Sequence, residues 1–418
     1  MRLRCALLLA LSAAGGRGGG WDPAEVLRRV AAKIEDDITR APRYTCVEAV
    51  SREYFRPAAT TLPKVCALVL AQRQKPGYLK GMRRVATDRL RLEVTLAEKG
   101  EIYSWVGASR FEDGDLSSLI RTGPLTSGAF GAMLALVFQH GTGAISFVRE
   151  TSVERRPVLE YEFQVEAAHS RYQVRTVTGS FVSSGYNGTI LVEPSTADLL
   201  RLTVQTAELP ASTGGCQTTT ALDFGAKRIG GAQIMLPVRA RQRFVAPSAE
   251  EVENTVSFTA CREYRSQSVV RYNLEDGDAE GAAAPVPVTL PEGLPFTLEL
   301  MAAIRADTAA VGDRFSGRLA GPLVDRDGKV LAVAGAKVEG RLTQVRTVQW
   351  PKAEAVLSLL PEAIEAFGST LPLAAVPVAG GALHFSGQHV VVKTGFRSKW
   401  LTAPRATAGG SRPEGHRQ

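Results

Sequence analysis

Apolar residues recur every four positions in WDPAEVLRRVAAKIEDDITRA: Val26, Val30, Ile34 and Ile38, with Leu27 and Ala31 beside them. That spacing draws one apolar stripe along a helix. Arg28, Arg29, Lys33, Glu35 and Asp36 occupy the opposite face. Asp22 suits the N-cap, Pro23 the first helical position and Glu25 the third. A helix with one apolar face needs a layer to cover, and the pattern switches at once to period two. RYTCVEAVSREYF, VCALVLAQR and TDRLRLEVTLAEKGEIYSWVG read as strands. In the last of these, Leu90, Leu92, Val94 and Leu96 alternate with Arg89, Arg91, Glu93 and Thr95, as in a strand with one buried face. EKGE turns the chain, and Tyr103 and Trp105 share one side of the returning run.

SGAFGAMLALVFQHG predicts a second helix, ending at Gly141. A strand–turn–strand rhythm follows through AISFVRET, LEYEFQV, SRYQVRTVTGSF, NGTILVEPSTADLLRLTVQT and GGAQIMLPVRARQRF, and closes with NTVSFTACREYRSQSVVRYNL. EPSTAD turns one hairpin. EDGDAEGAAAPVPV then crowds Asp, Glu, Gly, Ala and Pro without periodicity, as an interdomain linker does. Beyond it, short alternating strands with Gly-rich turns predict a small barrel or sandwich. KAEAVLSLLPEAI reads as a short helix or a strand pair, and LHFSGQHVVVKTGF as a further strand. The expected organisation is a leader at 1–20, a β-rich domain at 21–275, a linker at 276–285, a small β domain at 286–401 and a polar, disordered tail at 402–418.

The leader changes the compartment. MRLRCALLLALSAAGG carries two arginines, an apolar run from Cys5 to Leu11 and then small residues, the order of a secretory signal. Cleavage is expected near Ala14 or within Gly15–Gly20. The apolar run is too short to span a bilayer, and no other run is long enough, so the mature chain is expected to be periplasmic or secreted without a transmembrane segment. Four cysteines then remain: Cys46, Cys66, Cys216 and Cys261. An even number in an exported chain predicts disulfides. Of three pairings, the expected one is Cys46–Cys66 with Cys216–Cys261, each within one block of strands.

Composition narrows the chemistry. The chain has 418 residues, 44% hydrophobic and 22% charged, enough for two cores. Its net charge of +8 comes from interleaved acids and bases rather than a basic stripe with aromatics, so no nucleic-acid partner is expected. A modest attraction to anionic lipid or lipopolysaccharide fits that charge equally. No G-x-S-x-G, H-E-x-x-H or C-x-x-C occurs, and the five histidines, His140, His169, His384, His389 and His416, do not cluster. His384 and His389 fall on opposite faces of one expected strand. Glu160 and Glu162 share a strand face and read as solvated. The expectation is therefore a non-enzyme without metal or cofactor. The remaining candidate is the apolar side of the sheet: Leu90, Leu92, Val94, Leu96, Tyr103 and Trp105. They either line a lipid-sized cavity or form plain core under the Val26–Ile38 helix, and both readings need the same pattern.

The order helix, Y-x-C, long strand and then a meander with one interrupting helix resembles the LolA/LolB-like half-barrel over roughly 22–274. RYTCVEAVSREYF, GTILVEPSTADLLRL and CREYRSQS carry the likeness. The resemblance implies a curved antiparallel sheet with helices on its concave side and a lipophilic cargo, lipid or lipoprotein. The extra cysteines depart from that pattern. LPEGLPFTLEL, AAVGDRFSGRLAGPLV and VAGAKVEGRL are similar to strand phrases of the outer-channel barrel of conjugation and type IV secretion proteins, without a counterpart to its membrane-inserting segment. The expected fold class is thus α+β and β-rich: a curved antiparallel half-barrel with a covering N-terminal helix, then a small β-barrel or sandwich. The expected function is non-catalytic binding of a lipophilic ligand or an envelope protein partner. An envelope scaffold with closed cores and an unrecognised hydrolase are the alternatives.

Overall fold

The computed structural model describes residues 20–40, 44–58, 65–97, 100–108, 111, 116–120, 122–139, 143–229, 231–263, 290–366 and 368–404. Residues 1–19 of the expected leader, the linker at 276–285, His140, Gly141, His416 and the tail from 405 lie outside the described residues. The chain divides into two compact units, Met1–Ser266 and Gln267–Gln418.

The N-terminal unit opens with α1 (Pro23–Arg40), β1 (Tyr44–Pro57), α2 (Cys66–Arg73), β2 (Met82–Ala97) and β3 (Gly100–Trp105). Two short helices follow, α3 (Leu116–Leu119) and α4 (Ala132–Phe138). Then come β4 (Ile145–Val153), β5 (Arg156–Val165), β6 (Gln173–Arg175), β7 (Phe181–Ser183), β8 (Tyr186–Glu193), β9 (Asp198–Thr206), β10 (Gln217–Ile229), β11 (Ala232–Val245) and β12 (Glu251–Glu263). Ten strands pair antiparallel in the order β3-β2-β1-β12-β11-β10-β9-β8-β5-β4. The result is a large curved sheet that does not close into a barrel. β6 and β7 form a separate hairpin.

Period-two patterning sets the inner face. Cys46, Glu48, Val50 and Arg52 of β1 stand opposite Val94, Leu92, Leu90 and Asp88 of β2, and all eight side chains are buried. α1 forms where the period-four stripe predicts it. The Asp22 carboxylate accepts the Ala24 N–H at 3.0 Å, and Val26, Leu27, Val30 and Ile34 are buried. The helix packs on α4 and β9; the Tyr161 hydroxyl donates to the Pro23 carbonyl at 2.8 Å, and the Lys33 ammonium pairs with Asp198 at 2.8 Å. The loop leading into α4 reaches β2, with Gly131 against Leu96 and the Phe130 ring 5.9 Å from that of Phe258.

Three expectations change here. VCALVLAQR is a helix, α2, and not a strand: its run lacks alternation, and Cys66, Val69 and Leu70 turn one face onto Cys216, Val245 and Ala249. The disulfides are Cys46–Cys261 and Cys66–Cys216, not Cys46–Cys66 and Cys216–Cys261. The reason is the sheet, which pairs the first strand of the unit with its last: Thr45 faces Arg262 and Val47 faces Thr259 across a bulge, with Cys46 and Cys261 between them. β10, not singled out from the sequence, joins β9 to β11.

The C-terminal unit holds β13 (Pro295–Leu300), β14 (Ile304–Arg305), β15 (Arg314–Leu319), β16 (Leu323–Val324), β17 (Val330–Ala332) and β18 (Lys337–Val348). It continues with β19 (Glu354–Ala366), β20 (Ser369–Pro372), β21 (Ala375–Pro377), β22 (Leu383–Ser386), β23 (Val391–Val392) and β24 (Arg397–Thr402). Pairing runs β24-β13-β15-β18-β19. β20 pairs with β19 and β21 with β24, with only Leu373 and Ala374 between them, so the pairing returns to its start. Phe296, Leu298, Phe315, Val338, Leu357 and Trp400 fill the centre. KAEAVLSLLPEAI proves to be one strand, β19, which tolerates Pro361 because the residue sits at a bulge opposite Gly340. LHFSGQHVVVKTGF splits into β22 and β23.

Candidate functional site

One register row on the inner face of the large sheet is polar. Asp88, Arg52, Asn254, Gln242 and Thr220 stand side by side on β2, β1, β12, β11 and β10. Each is at most 5% exposed. Alternation alone would have put apolar side chains here, so a partner must satisfy these groups. For Arg52, Asn254 and Gln242 that partner is the backbone of a strap, residues 122–131, crossing the strands toward α4; the Thr220 hydroxyl has no hydrogen-bond partner among the described residues. The Arg52 guanidinium donates to the Thr122 carbonyl at 2.6 Å, the Asn254 amide to the Pro124 carbonyl at 3.1 Å and the Gln242 amide to the Thr126 carbonyl at 3.0 Å. Alternate strap residues thus meet successive strands. Arg52 also forks onto Asp88 at 2.5 and 3.0 Å, and the Tyr54 hydroxyl donates to the same carboxylate at 2.8 Å. Gly123 has φ +77°, and a Cβ there would meet the Tyr54 hydroxyl and the Arg52 guanidinium. Only glycine fits both constraints.

Glu101 anchors the far end of the strap. Its Oε1 accepts N–H groups of Phe130 at 2.6 Å and Gly131 at 2.9 Å, and its Oε2 accepts the Gly128 N–H at 2.6 Å and the Tyr103 hydroxyl at 2.5 Å. Beside it lies Glu48, 1% exposed, with neither carboxylate oxygen hydrogen-bonded among the described residues. Burial, reinforced by the Glu101 charge, pushes the Glu48 acid well above the usual carboxylate range. Burial likewise raises the Tyr103 phenol, again with the two glutamates adding to it.

The strap forms one wall of a cleft of about 890 Å³. Leu116, Ile120, Leu125, Met133 and Leu136 come from the strap and the helices around it. Phe244, Val245 and Val252 come from the ends of the sheet and Leu209 from the connection between β9 and β10. Arg171, Gln173, Arg175 and Phe181 come from the β6–β7 hairpin, and Gly214, Gly215, Gln217 and Thr218 from the turn before and the start of β10. The Cys66–Cys216 disulfide secures that turn to α2. The lining is thus apolar inside, with polar and cationic side chains on the hairpin.

The residues singled out from the sequence lie beside this cleft. Leu90, Leu92, Val94, Leu96 and Tyr103 are buried, Trp105 is half-buried, and none of the six lines it. They are brought together as a packed patch beneath the Glu101 anchor. Several cleft-lining residues fall in runs the sequence does mark, Met133 and Leu136 in the second helix and Phe244 in a strand, but no local periodicity shows that these runs meet. The His384 Nδ1 lies within hydrogen-bond distance of a Glu354 carboxylate oxygen at 2.6 Å in the C-terminal unit, and Glu160 pairs with Arg149 at 2.7 Å. Among the described residues, no group of three or more His, Cys, Asp or Glu is placed to hold a metal, and no helix is long and apolar enough to cross a membrane. A smaller pocket of about 240 Å³ lies in the C-terminal unit between Pro377–Gly381 and Trp400.

No family model and no curated protein matches the chain. Among solved structures it is similar to a "putative outer membrane lipoprotein-sorting protein domain" from Vibrio parahaemolyticus, with 10% identity, a TM-score of 0.28, and 58% of this chain and 93% of that chain covered. It is also similar to a DUF1329 family protein from Desulfovibrio piger ATCC 29098, with 10% identity, a TM-score of 0.29, and 59% of this chain and 95% of that chain covered.

Proposed function

We propose that the N-terminal unit binds a lipophilic molecule in the cleft beside its strap, without catalysis, in a chain exported to the cell envelope. The C-terminal barrel would serve as its docking module for an envelope partner. The observation that carries this reading is the cleft itself: about 890 Å³, within the size range of small-molecule sites, with an apolar interior from Leu125, Met133, Leu136, Leu209 and Phe244. Each Å² of apolar ligand surface buried there contributes about 25 cal/mol. Export is supported by two disulfides, which persist in oxidising compartments. Native mass spectrometry of the full chain purified from an envelope fraction tests the reading. A lipid mass should accompany the protein, and Leu125→Trp, which narrows the cleft, should reduce it. Bare protein in both preparations would sink the proposal.

A further inference from the structure

We propose that the outer face of the large sheet carries a second binding site, for a phosphomonoester group, with Arg89 and Arg239 as its two guanidinium arms. It is separate from the cleft, which takes Phe244 and Val252 from the inner face of the same strands. Period-two alternation turns the odd-numbered residues of β11, β12, β1 and β2 outward here. In register, Arg239, Ser257, Ala49 and Arg91 form one row across these four strands, and Arg241, Thr255, Ser51 and Arg89 form the next. Arginines thus stand on the two flanking strands, and only small side chains on the two between. Three strand spacings separate β11 from β2, about 14 Å. Arg239 and Thr255 are exposed, and Arg89, Ser51, Ala49 and Ser257 are half-buried.

Elsewhere on this face arginines meet carboxylates. Arg149 pairs with Glu160 at 2.7 Å, Arg201 with Asp223 at 2.6 Å and Arg262 with Glu93 at 3.0 Å. Asp223 is also the cross-strand neighbour of Arg239, but Arg201 holds its carboxylate. One row beyond Thr255 and Ser51, Glu253 and Glu53 pair with Arg243 and Arg84. Arg241 reaches the same Glu253 at 3.5 Å, and Arg91 is engaged as well, so the site uses neither. The side chains of Arg89, Arg239, Ser51, Thr255 and Ser257 have no hydrogen-bond or ion-pair partner among the described residues. Two guanidiniums and three hydroxyls are thus left without partners in one window, and the flanking carboxylates are already paired. The methylene stems of the arginines let both lean over the small floor. Forks from two sides and hydroxyl donors from below suit a tetrahedral group with three free oxygens better than a flat carboxylate with two. A soluble phosphate ester and a phosphomonoester lipid headgroup share this chemistry.

Calorimetric titration of the full chain with glycerophosphate, glycerate and glycerol, and co-sedimentation with phosphatidylcholine vesicles with and without phosphatidic acid, separate the cases. The phosphomonoester, free or in the vesicles, should bind about tenfold more tightly than its counterparts without that group at low salt, with the gap narrowing as salt rises toward about 0.5 M. Binding of glycerophosphate would assign a soluble ester as sufficient, and binding confined to the phosphatidic acid vesicles a lipid headgroup. In Arg89→Gln/Arg239→Gln the preference should fall to near unity, and Arg89→Lys/Arg239→Lys should keep part of it. Arg149→Gln/Arg201→Gln removes the same charge from paired positions on the same face and should leave the preference intact. Thermal melts report that each variant is folded. Equal loss in both glutamine pairs, glycerate binding as tightly as glycerophosphate, or no preference in either format overturns the assignment and leaves the cleft reading untouched.

Discussion

Glu48 shows how little an alternating pattern says about a single inward position. It sits between Cys46 and Val50 on the inner face, opposite Leu92 and Phe258, where any apolar residue would serve the fold. A buried carboxyl without hydrogen bonds destabilises by about 1–3 kcal/mol. Its pKa is raised in the folded state, so below about 4.5 the acid is neutral in both states and makes no pH-dependent contribution. Above that, the unfolded chain ionises while the folded chain resists, and stability falls as pH rises. Glu48→Leu should therefore raise stability by about 1–3 kcal/mol at pH 8 and by less at pH 4, measured by urea unfolding. An equal gain at both pH values would show that the carboxyl is not held neutral. Arg52 is the opposite case, since its charge is matched by Asp88 and the strap carbonyl. Arg52→Met leaves Asp88 buried without its counter-charge and should cost about 3–5 kcal/mol. Neither role was legible beforehand, because Glu48, Arg52 and Asp88 look like ordinary polar members of strands that face water on one side.

Among the elements, α1 was the most legible: the Asp22 cap is made, Glu25 lies in the first turn, and Val26, Leu27, Val30 and Ile34 are buried, while Ile38 at the end of the stripe is half-buried. The β8–β9 hairpin was legible as well, with its turn where EPSTAD places it. α2 was not: eight residues of mostly apolar sequence fit a strand or a helix, and only the packing of Val69 on Cys216 and Ala249 decides. The strap has no periodicity, and its course depends on side chains brought from β1, β11 and β12. Gly123→Ala should cost about 2 kcal/mol through backbone strain alone, with the clash against Arg52 and Tyr54 added. A melt unchanged by that substitution would show that the strap does not lie on the sheet. The disulfides make a sharper element-level prediction. Non-reducing peptide mapping should recover Cys46 linked to Cys261 and Cys66 linked to Cys216. Cys66→Ser/Cys216→Ser should lower stability by about 2–5 kcal/mol, because the bond closes a span of 150 residues and constrains the unfolded chain.

The molecule as a whole assembles its candidate site from four stretches far apart in the chain: the strap with its helices, the β6–β7 hairpin, the turn before β10, and the ends of β11 and β12. Local pattern determined the β-rich class, the existence of α1 and the inward stripe Leu90–Leu96, since periodicity of 3.6 and of 2 is imposed by backbone geometry within a few residues. Tertiary structure alone decided which cysteines meet, which residues cover the stripe and where the cleft opens. Those outcomes depend on strand order, and strand order brings Cys46 to Cys261 across 215 positions that no local pattern connects.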